Sequence, residues 1–222
     1  MERSAWLAER RAALVAAYDA DAPTYDQDDY PAETQHEWVA RLLATCPPGG
    51  VVLDAPCGTG RYFSMVAAAG LRVVGVDQSN GMLDQARARD IASSLHLISL
   101  HELPFVGEFD AVMTIDAMEN VFPEEWPLVL SRLHRSVRPG GQIYLTVEEK
   151  DEEYVDARFR GLAERGLPAV RGEIVEGSEV AGYHYYPGRD QVLAWLGAEG
   201  LEVVDETYVQ HNGWGYRHFL LR

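Results

Sequence analysis

The chain has 222 residues, 47% of them hydrophobic, and can therefore bury one sizeable α/β core. Its 19 basic and 35 acidic residues give a net charge of −16, which opposes broad contact with a nucleic-acid backbone. No apolar run is long enough to cross a bilayer, and the two cysteines show no disulfide or metal-ligand spacing. We therefore expect a cytoplasmic protein with no nucleic-acid partner, no membrane partner and no metal.

The first 45 residues are predicted to be mainly helical. Apolar residues within 1–20 recur at helical spacing, and a second helical stretch covers Ala32 to Leu43. The segment between them, Asp19 to Pro31, is rich in Asp, Tyr and Pro and is a loop by composition. We expect residues 1–45 to form a helical lid on the main sheet.

Residues 51–60 carry the most informative pattern of the chain, an apolar strand followed by an acid and a glycine turn. The strand ends at Asp54, and Gly58 and Gly60 let the backbone approach a ligand without a Cβ in the way. Arg61 to Ala69 is predicted to be the following helix, whose first N–H groups are unpaired. This arrangement is typical of a nucleotide-binding turn.

A second acid indicates which kind of nucleotide is bound. Leu71 to Val76 is a second apolar strand, and Asp77 ends it 23 positions after Asp54, a spacing suited to binding both ribose hydroxyls. Phe63 occupies the position where a dinucleotide-binding turn has its third glycine. Asp54 would repel a pyrophosphate and attract an ammonium or sulfonium group.

Five ordered segments carry a family resemblance. They are Leu53–Gly60, Gly75–Ser79 with Met82 and Leu83, Leu103–Phe105, Phe109–Ala117, and Leu133–Val147. In these segments the chain resembles the class I S-adenosylmethionine-dependent methyltransferases of the small-molecule type. The resemblance implies S-adenosylmethionine as the cofactor and S-adenosylhomocysteine as its product.

The resemblance also assigns roles in donor binding. Asp54 would lie near the methionine ammonium and Asp77 would bind the ribose, while Met82 would pack against adenine or serve only as core. Ser99 stands where the family often has an acid for the adenine amino group, so it offers one hydrogen bond there. The expected cofactor-binding residues are Asp54, Gly58, Gly60, Asp77, Gln78, Met82, Ser99, Leu100 and Asp116.

The predicted fold is a doubly wound α/β domain over residues 1–222, with a seven-stranded, mostly parallel, Rossmann-like sheet. Apolar strands are expected near residues 51, 72, 95, 110, 142, 202 and 216. Only about seven residues separate the last two, so they should pair as an antiparallel hairpin, as in the family. Residues 149–187 follow strand five at the ligand edge and are expected to form a substrate-cap insertion.

Three residues are candidates for catalysis on the acceptor side. Glu119 follows strand four and could be a general base, a clamp for a cationic amine, or a helix-capping residue. His184 and Tyr186 lie in the aromatic run Tyr183–Pro187 of the expected cap, where His184 would titrate near neutral pH. The alternative for each is a structural role.

We therefore expect a methyltransferase that uses S-adenosylmethionine to methylate an oxygen or nitrogen of a small-molecule acceptor by in-line displacement. One alternative is a non-catalytic protein that retains the donor site for folding or partner binding. Another is a nicotinamide-dependent oxidoreductase, against which Phe63 and Asp54 both argue.

Overall fold

The computed structural model of the protein describes residues 1–27, 33–175, 182–211 and 213–222. Its helices are Arg3–Asp21 (α1), Glu33–Leu43 (α2), Phe63–Ala68 (α3), Asn80–Ala88 (α4), Trp126–Ser136 (α5), Glu152–Glu164 (α6) and Arg189–Ala198 (α7). Its strands are Val51–Asp54 (β1), Arg72–Asp77 (β2), Ser94–Leu97 (β3), Phe109–Thr114 (β4), Val137–Lys150 (β5), Glu173–Val175 (β6), Tyr183–Tyr185 (β7), Val203–Gln210 (β8) and Trp214–Leu221 (β9). Short 3-10 helices cover Tyr25–Gln27, Leu100–Glu102 and Met118–Asn120.

Seven strands form the central sheet in the order β3-β2-β1-β4-β5-β9-β8. Strands β1 to β5 pair in parallel, and β9 runs antiparallel to both β5 and β8. The expected seven-stranded sheet with an antiparallel last strand is therefore confirmed. The strand order reverses between β1 and β4, and in such sheets the crevice at this point binds ligands.

The core has one apolar layer on each face of the sheet. Successive residues of β1 point to opposite faces, so Leu53 packs in the layer that includes α5, and Val52 in the layer of α2 and α3. Trp126 and Trp38 are central to the two layers, at 0% and 4% exposure. The sheet is thus buried on both sides, as its apolar strands predict.

Two boundaries differ from the sequence expectations. Helix α3 begins at Phe63 instead of Arg61, because Gly58 and Gly60 hold the preceding turn at φ of +51° and +78°. Strand β5 begins at Val137, ahead of the position near residue 142 where this strand was expected. The register against β4 shifts between the Val137 and Gln142 pairings, so residues 138–141 form an irregularity that has no partner on β4.

Residues 152–185 add α6 and the β6–β7 hairpin to the central sheet. Glu173 of β6 is fully buried and accepts hydrogen bonds from Tyr183 Oη (2.7 Å) and from the backbone N–H of Val170 (2.6 Å). It also pairs with the Arg3 guanidinium at 2.8 and 2.9 Å. This ion pair joins the expected cap, of which 176–181 lie outside the described residues, to the N-terminal helix.

Phe63 explains why the turn lacks a third glycine. Its ring is fully buried, and it lies against two glycines whose missing side chains make the room. A Cβ on Gly60 would stand 2.6 Å from the ring, and one on Gly75 would stand 2.9 Å from it. The ring therefore holds α3 against β2 where a dinucleotide-binding turn keeps its helix close with a small residue.

Replacing Phe63 with Ala should lower the free energy of unfolding by about 3–5 kcal/mol, because it opens a cavity in a packed layer. Chemical denaturation measures this change. Val106→Ala is the control, since Val106 is 61% exposed and its truncation should change stability by less than about 0.5 kcal/mol. Equal effects in the two variants would contradict the packing role of Phe63.

Candidate active site

A cavity opens at the carboxyl ends of β1, β2 and β4. It encloses about 980 Å³, including open solvent at its mouth. Eight of the predicted cofactor-binding residues line it, namely Asp54, Gly58, Asp77, Gln78, Met82, Ser99, Leu100 and Asp116. Gly60 is not among the lining residues, and its positive φ shapes the turn behind them.

Asp54 ends β1 at the base of this cavity and is 1% exposed. Its Oδ2 atom has no hydrogen-bond partner within the part of the chain that the structure describes. Burial and, after it, the nearby Asp77 carboxylate raise the pKa of Asp54 well above its usual range. A cationic group placed here would stabilise the charged form of Asp54 and supply the missing partner.

Asp77 ends β2 and is held in place by the backbone. Its Oδ2 accepts a hydrogen bond from the N–H of Gly58 (2.9 Å) and its Oδ1 one from the N–H of Ser79 (2.8 Å). Burial raises the pKa of Asp77, and these backbone donors partly oppose that effect. Each carboxylate oxygen has lone-pair capacity for a further donor, such as a hydroxyl.

An apolar slot lies beside Asp77. Met82 of α4 is 2% exposed, and its backbone N–H donates to Ser79 Oγ, which caps that helix. Ile98 and Leu100 supply further apolar wall, with Ser99 between them. The slot can therefore hold a flat ring, with Ser99 as a polar group at its edge.

Asp116 follows β4 in a strained backbone conformation. Its φ of +51° is rare for a residue with a Cβ. The buried Thr146 hydroxyl holds it there by accepting a hydrogen bond from the Asp116 N–H at 2.8 Å. Such strain clusters at functional sites, and Asp116 lines the cavity.

The N-terminal segment forms one side of the cavity. Arg11 and Tyr18 of α1 and Tyr25 of the following 3-10 helix are all lining residues. The sequence predicted a lid over 1–45 but singled out none of these side chains. The Asp- and Tyr-rich composition of the loop after α1 was the available signal.

Two acids fasten this segment to the walls of the cavity. Asp19 Oδ1 accepts hydrogen bonds from Ser79 Oγ (2.5 Å) and from the N–H of Gly81 (2.8 Å). Asp26 accepts from Thr59 Oγ1 (3.0 Å) and pairs with Arg89 at 2.6 Å. The lid is therefore bonded to both glycine-containing turns, the one after β1 and the one that begins α4.

The three predicted catalytic residues do not line the cavity. Glu119 lies in the 3-10 helix after β4, 6% exposed, and burial followed by the nearby Glu148 and Asp116 carboxylates raises its pKa well above the usual range. His184 of β7 and Tyr186 stack on each other with ring centroids 5.9 Å apart. Glu119 therefore lies close to Asp116 of the cavity lining. The catalytic role of all three residues stays a prediction.

The described residues contain no candidate metal site and no candidate membrane-spanning helix. No group of three or more His, Cys, Asp or Glu residues in 1–27, 33–175, 182–211 and 213–222 could hold a metal ion. Within the same ranges no helix is long and apolar enough to span a membrane.

Comparison with known proteins matches the site to a family. Residues 52–141 match the family model described as a methyltransferase domain. Human methyltransferase-like protein 27 is 32% identical over 173 residues, and a malonyl-acyl-carrier-protein O-methyltransferase from Erwinia pyrifoliae is 33% identical over 163 residues. The chain belongs to the class I S-adenosylmethionine-dependent methyltransferases. The cofactor of this family is S-adenosylmethionine.

The relatives differ in how much of each protein is shared. The alignments cover 68% and 72% of this chain but only 66% and 60% of these two relatives, so the chain spans less than two thirds of their length. A demethylmenaquinone methyltransferase from Clavibacter sepedonicus is 29% identical over 217 residues, covering 90% of this chain and 86% of the relative.

One solved structure shows that the fold is shared over the whole chain. The Burkholderia thailandensis 1,6-didemethyltoxoflavin-N1-methyltransferase, which holds its substrate and S-adenosylhomocysteine, superposes with a TM-score of 0.73 at 19% identity. The match covers 100% of this chain and 90% of the Burkholderia chain. At this identity the likeness establishes the fold alone.

Asp26→Ala should loosen the N-terminal segment and weaken binding of S-adenosylhomocysteine by about threefold to tenfold, because exposed ion pairs contribute roughly 0.2–1 kcal/mol each. Isothermal calorimetry measures the affinity. The control is Asp21→Ala, since the contacts found for Asp21 use only its carbonyl oxygen. An unchanged affinity in Asp26→Ala would show that these lid bonds do not support the cofactor site.

Proposed function

We propose that this protein transfers a methyl group from S-adenosylmethionine to an oxygen or nitrogen of a small molecule bound in the same cavity. The observation that carries the proposal is the pair of buried carboxyl groups, Asp54 and Asp77, facing one cavity from adjacent strand ends. A diphosphate would be repelled there, whereas a cationic nucleoside would be attracted at one end and hydrogen-bonded at the other.

The buried carboxyl groups fit the donor's chemistry. Asp54, with its unpartnered Oδ2, would hold the methionine ammonium, and Asp77 would accept hydrogen bonds from both ribose hydroxyls. Met82 would contact one face of the adenine. The remaining contacts are assigned to Gly58, Gln78, Ser99, Leu100 and Asp116, with Gly60 shaping the turn.

The bound donor supplies a methyl group on a sulfonium sulfur, so an acceptor lone pair forms the new bond while the electrons of the S–CH₃ bond return to sulfur. The protein's part is to align the two molecules and to keep water out. Tyr18 and Tyr25 line the cavity and would keep water away from the reacting groups. We assign the lid role to residues 1–45 and the role of a substrate cap to residues 149–187.

Loss of a proton from the acceptor needs a base when a hydroxyl or a protonated amine is methylated. Glu119, His184 and Tyr186 are the candidates. The raised pKa of Glu119 favours its neutral form, which donates a hydrogen bond and cannot accept the proton. His184 and Tyr186 are therefore better candidates for the base than Glu119, and we assign the role to His184, which lies outside the cavity lining.

We place the reaction in the cytoplasm and on a small molecule. Cys46 and Cys57 are both free thiols, which suits a reducing compartment. The net charge of −16 disfavours a nucleic-acid acceptor.

Asp77→Ala should weaken binding of S-adenosylhomocysteine by about tenfold or more, because hydrogen bonds to a charged group contribute roughly 1.5–3 kcal/mol. Calorimetry on the purified protein tests this. Asp84→Ala serves as the control, since the Asp84 side chain is 71% exposed on α4 and pairs only with Arg87 among the described contacts. Equal affinity in wild type and Asp77→Ala would remove Asp77 from the ribose role.

His184→Phe should reduce turnover at saturating donor by at least about tenfold at every pH measured, if His184 is the base. Glu119→Gln should retain turnover, since a neutral amide keeps the hydrogen-bonding character of a protonated carboxyl. Steady-state rates between pH 6 and 9, with any acceptor found by screening, measure both. The reverse pattern would assign the base to Glu119.

A further inference from the structure

The cavity offers no arginine that is not already paired with a carboxylate. Two arginines line it, among the residues that the structure describes. Arg11 forms an ion pair with Glu125 and contacts His101 Nδ1 at 3.2 Å. Arg61 contacts Asp26 at 3.4 Å and stands over the Tyr25 ring, 5.6 Å from its centroid.

Carboxyl groups outnumber these arginines on the lining. Asp54, Asp77, Asp116 and Glu125 all face the cavity, and Glu125 is matched by Arg11. The donor brings two positive groups and one carboxylate, so it adds one net positive charge. The remainder of the cavity is therefore neutral to negative, and a second anion would enter against that field.

Three tyrosine rings form an aromatic wall of the cavity, two of them from the N-terminal segment. The rings of Tyr18 and Tyr25 meet edge to face with centroids 6.2 Å apart, and Tyr62 lines the same cavity. Burial raises the pKa of Tyr25 to about 12, so its hydroxyl stays protonated. Such rings favour contact with another flat, unsaturated ring.

Two buried polar atoms near this wall have no hydrogen-bond partner among the described residues. Tyr62 is 6% exposed, and its buried hydroxyl has no hydrogen-bond partner within the described residues. Asn120 donates from Nδ2 to the Tyr18 hydroxyl at 2.9 Å, while its buried Oδ1 also lacks a partner there. Both atoms can bond to a hydroxyl or an amine N–H, and only Tyr62 can donate.

We infer that the acceptor is a flat, unsaturated ring compound that carries no negative charge, bound against Tyr18, Tyr25 and Tyr62. A hydroxyl or ring nitrogen on that compound meets Tyr62 and Asn120. A free carboxylate, such as that of a malonyl thioester, meets arginines that already pair with carboxylates and the buried acids Asp54 and Asp77. This inference rests on the proposed function, since it places the donor in the same cavity.

A matched pair of ring compounds tests whether the acceptor must lack a negative charge. Calorimetry on the protein saturated with S-adenosylhomocysteine would compare 2-naphthol with 3-hydroxy-2-naphthoate, which differ by one carboxylate. We expect 2-naphthol to bind at least about tenfold more tightly, because like charges repel strongly in a desolvated site. Equal or tighter binding of the carboxylate, binding of neither ring, or methylation of a malonyl thioester would each overturn the inference.

Substitutions at two neighbouring residues test whether the Arg11–Glu125 ion pair causes the preference for an uncharged ring. Glu125→Gln removes the carboxylate partner of Arg11. The ratio of the affinity for 2-naphthol to that for 3-hydroxy-2-naphthoate should therefore fall by at least about threefold. Glu124→Gln is the matched control, because Glu124 pairs with Arg3 and does not line the cavity. A preference that stays unchanged in Glu125→Gln, or narrows equally in Glu124→Gln, would contradict the role given to the Arg11–Glu125 pair.

The titration that precedes these measurements separates the two proposals. Absence of S-adenosylhomocysteine binding would reject the proposed function itself. Normal binding of S-adenosylhomocysteine together with a carboxylate-preferring second site would reject only the inference about the acceptor.

Discussion

The site depends on the removal of two neighbouring carboxyl groups from water. Parallel pairing of β1 with β2 brings Asp54 and Asp77 to the same edge of the sheet, where the core excludes solvent. Desolvation of a carboxylate is costly unless donors or cations replace the lost water. Backbone N–H groups do this for Asp77, while Asp54 leaves one oxygen for a ligand.

The surrounding architecture serves that electrostatic arrangement. The positive φ of Gly58 turns its N–H toward Asp77, and Phe63 fixes the following helix against the sheet. The strained backbone of Asp116, held by Thr146, brings a further acid to the rim. A site rich in buried carboxyl groups follows from local backbone geometry, with few long side chains involved.

Sequence patterns predicted the parts of the structure that follow local rules. Apolar runs identified all seven strands of the central sheet, because a buried parallel sheet needs continuous hydrophobic segments. Eight of the nine cofactor-binding candidates reach the cavity, because the carboxyl ends of parallel strands share one edge. Only Gly60 lies behind the lining.

Features that depend on distant residues were not predictable in this way. Asp26 contacts Thr59 and Arg89 across 33 and 63 positions, and no local pattern records such a pairing. Glu119, His184 and Tyr186 were chosen for chemical type near strand ends. Position after a strand does not decide which side of a short helix or hairpin faces the cavity, and none of the three lines it.

The first helix is fastened at both of its ends. Arg3 binds Glu173 in the inserted hairpin, while Asp19 binds the turn that begins α4. These ionic and polar links hold the helix in the position from which Arg11 and Tyr18 line the cavity. Since mobile counterions shield exposed charges, the strength of these links, and with it the shape of this side of the cavity, is sensitive to ionic strength.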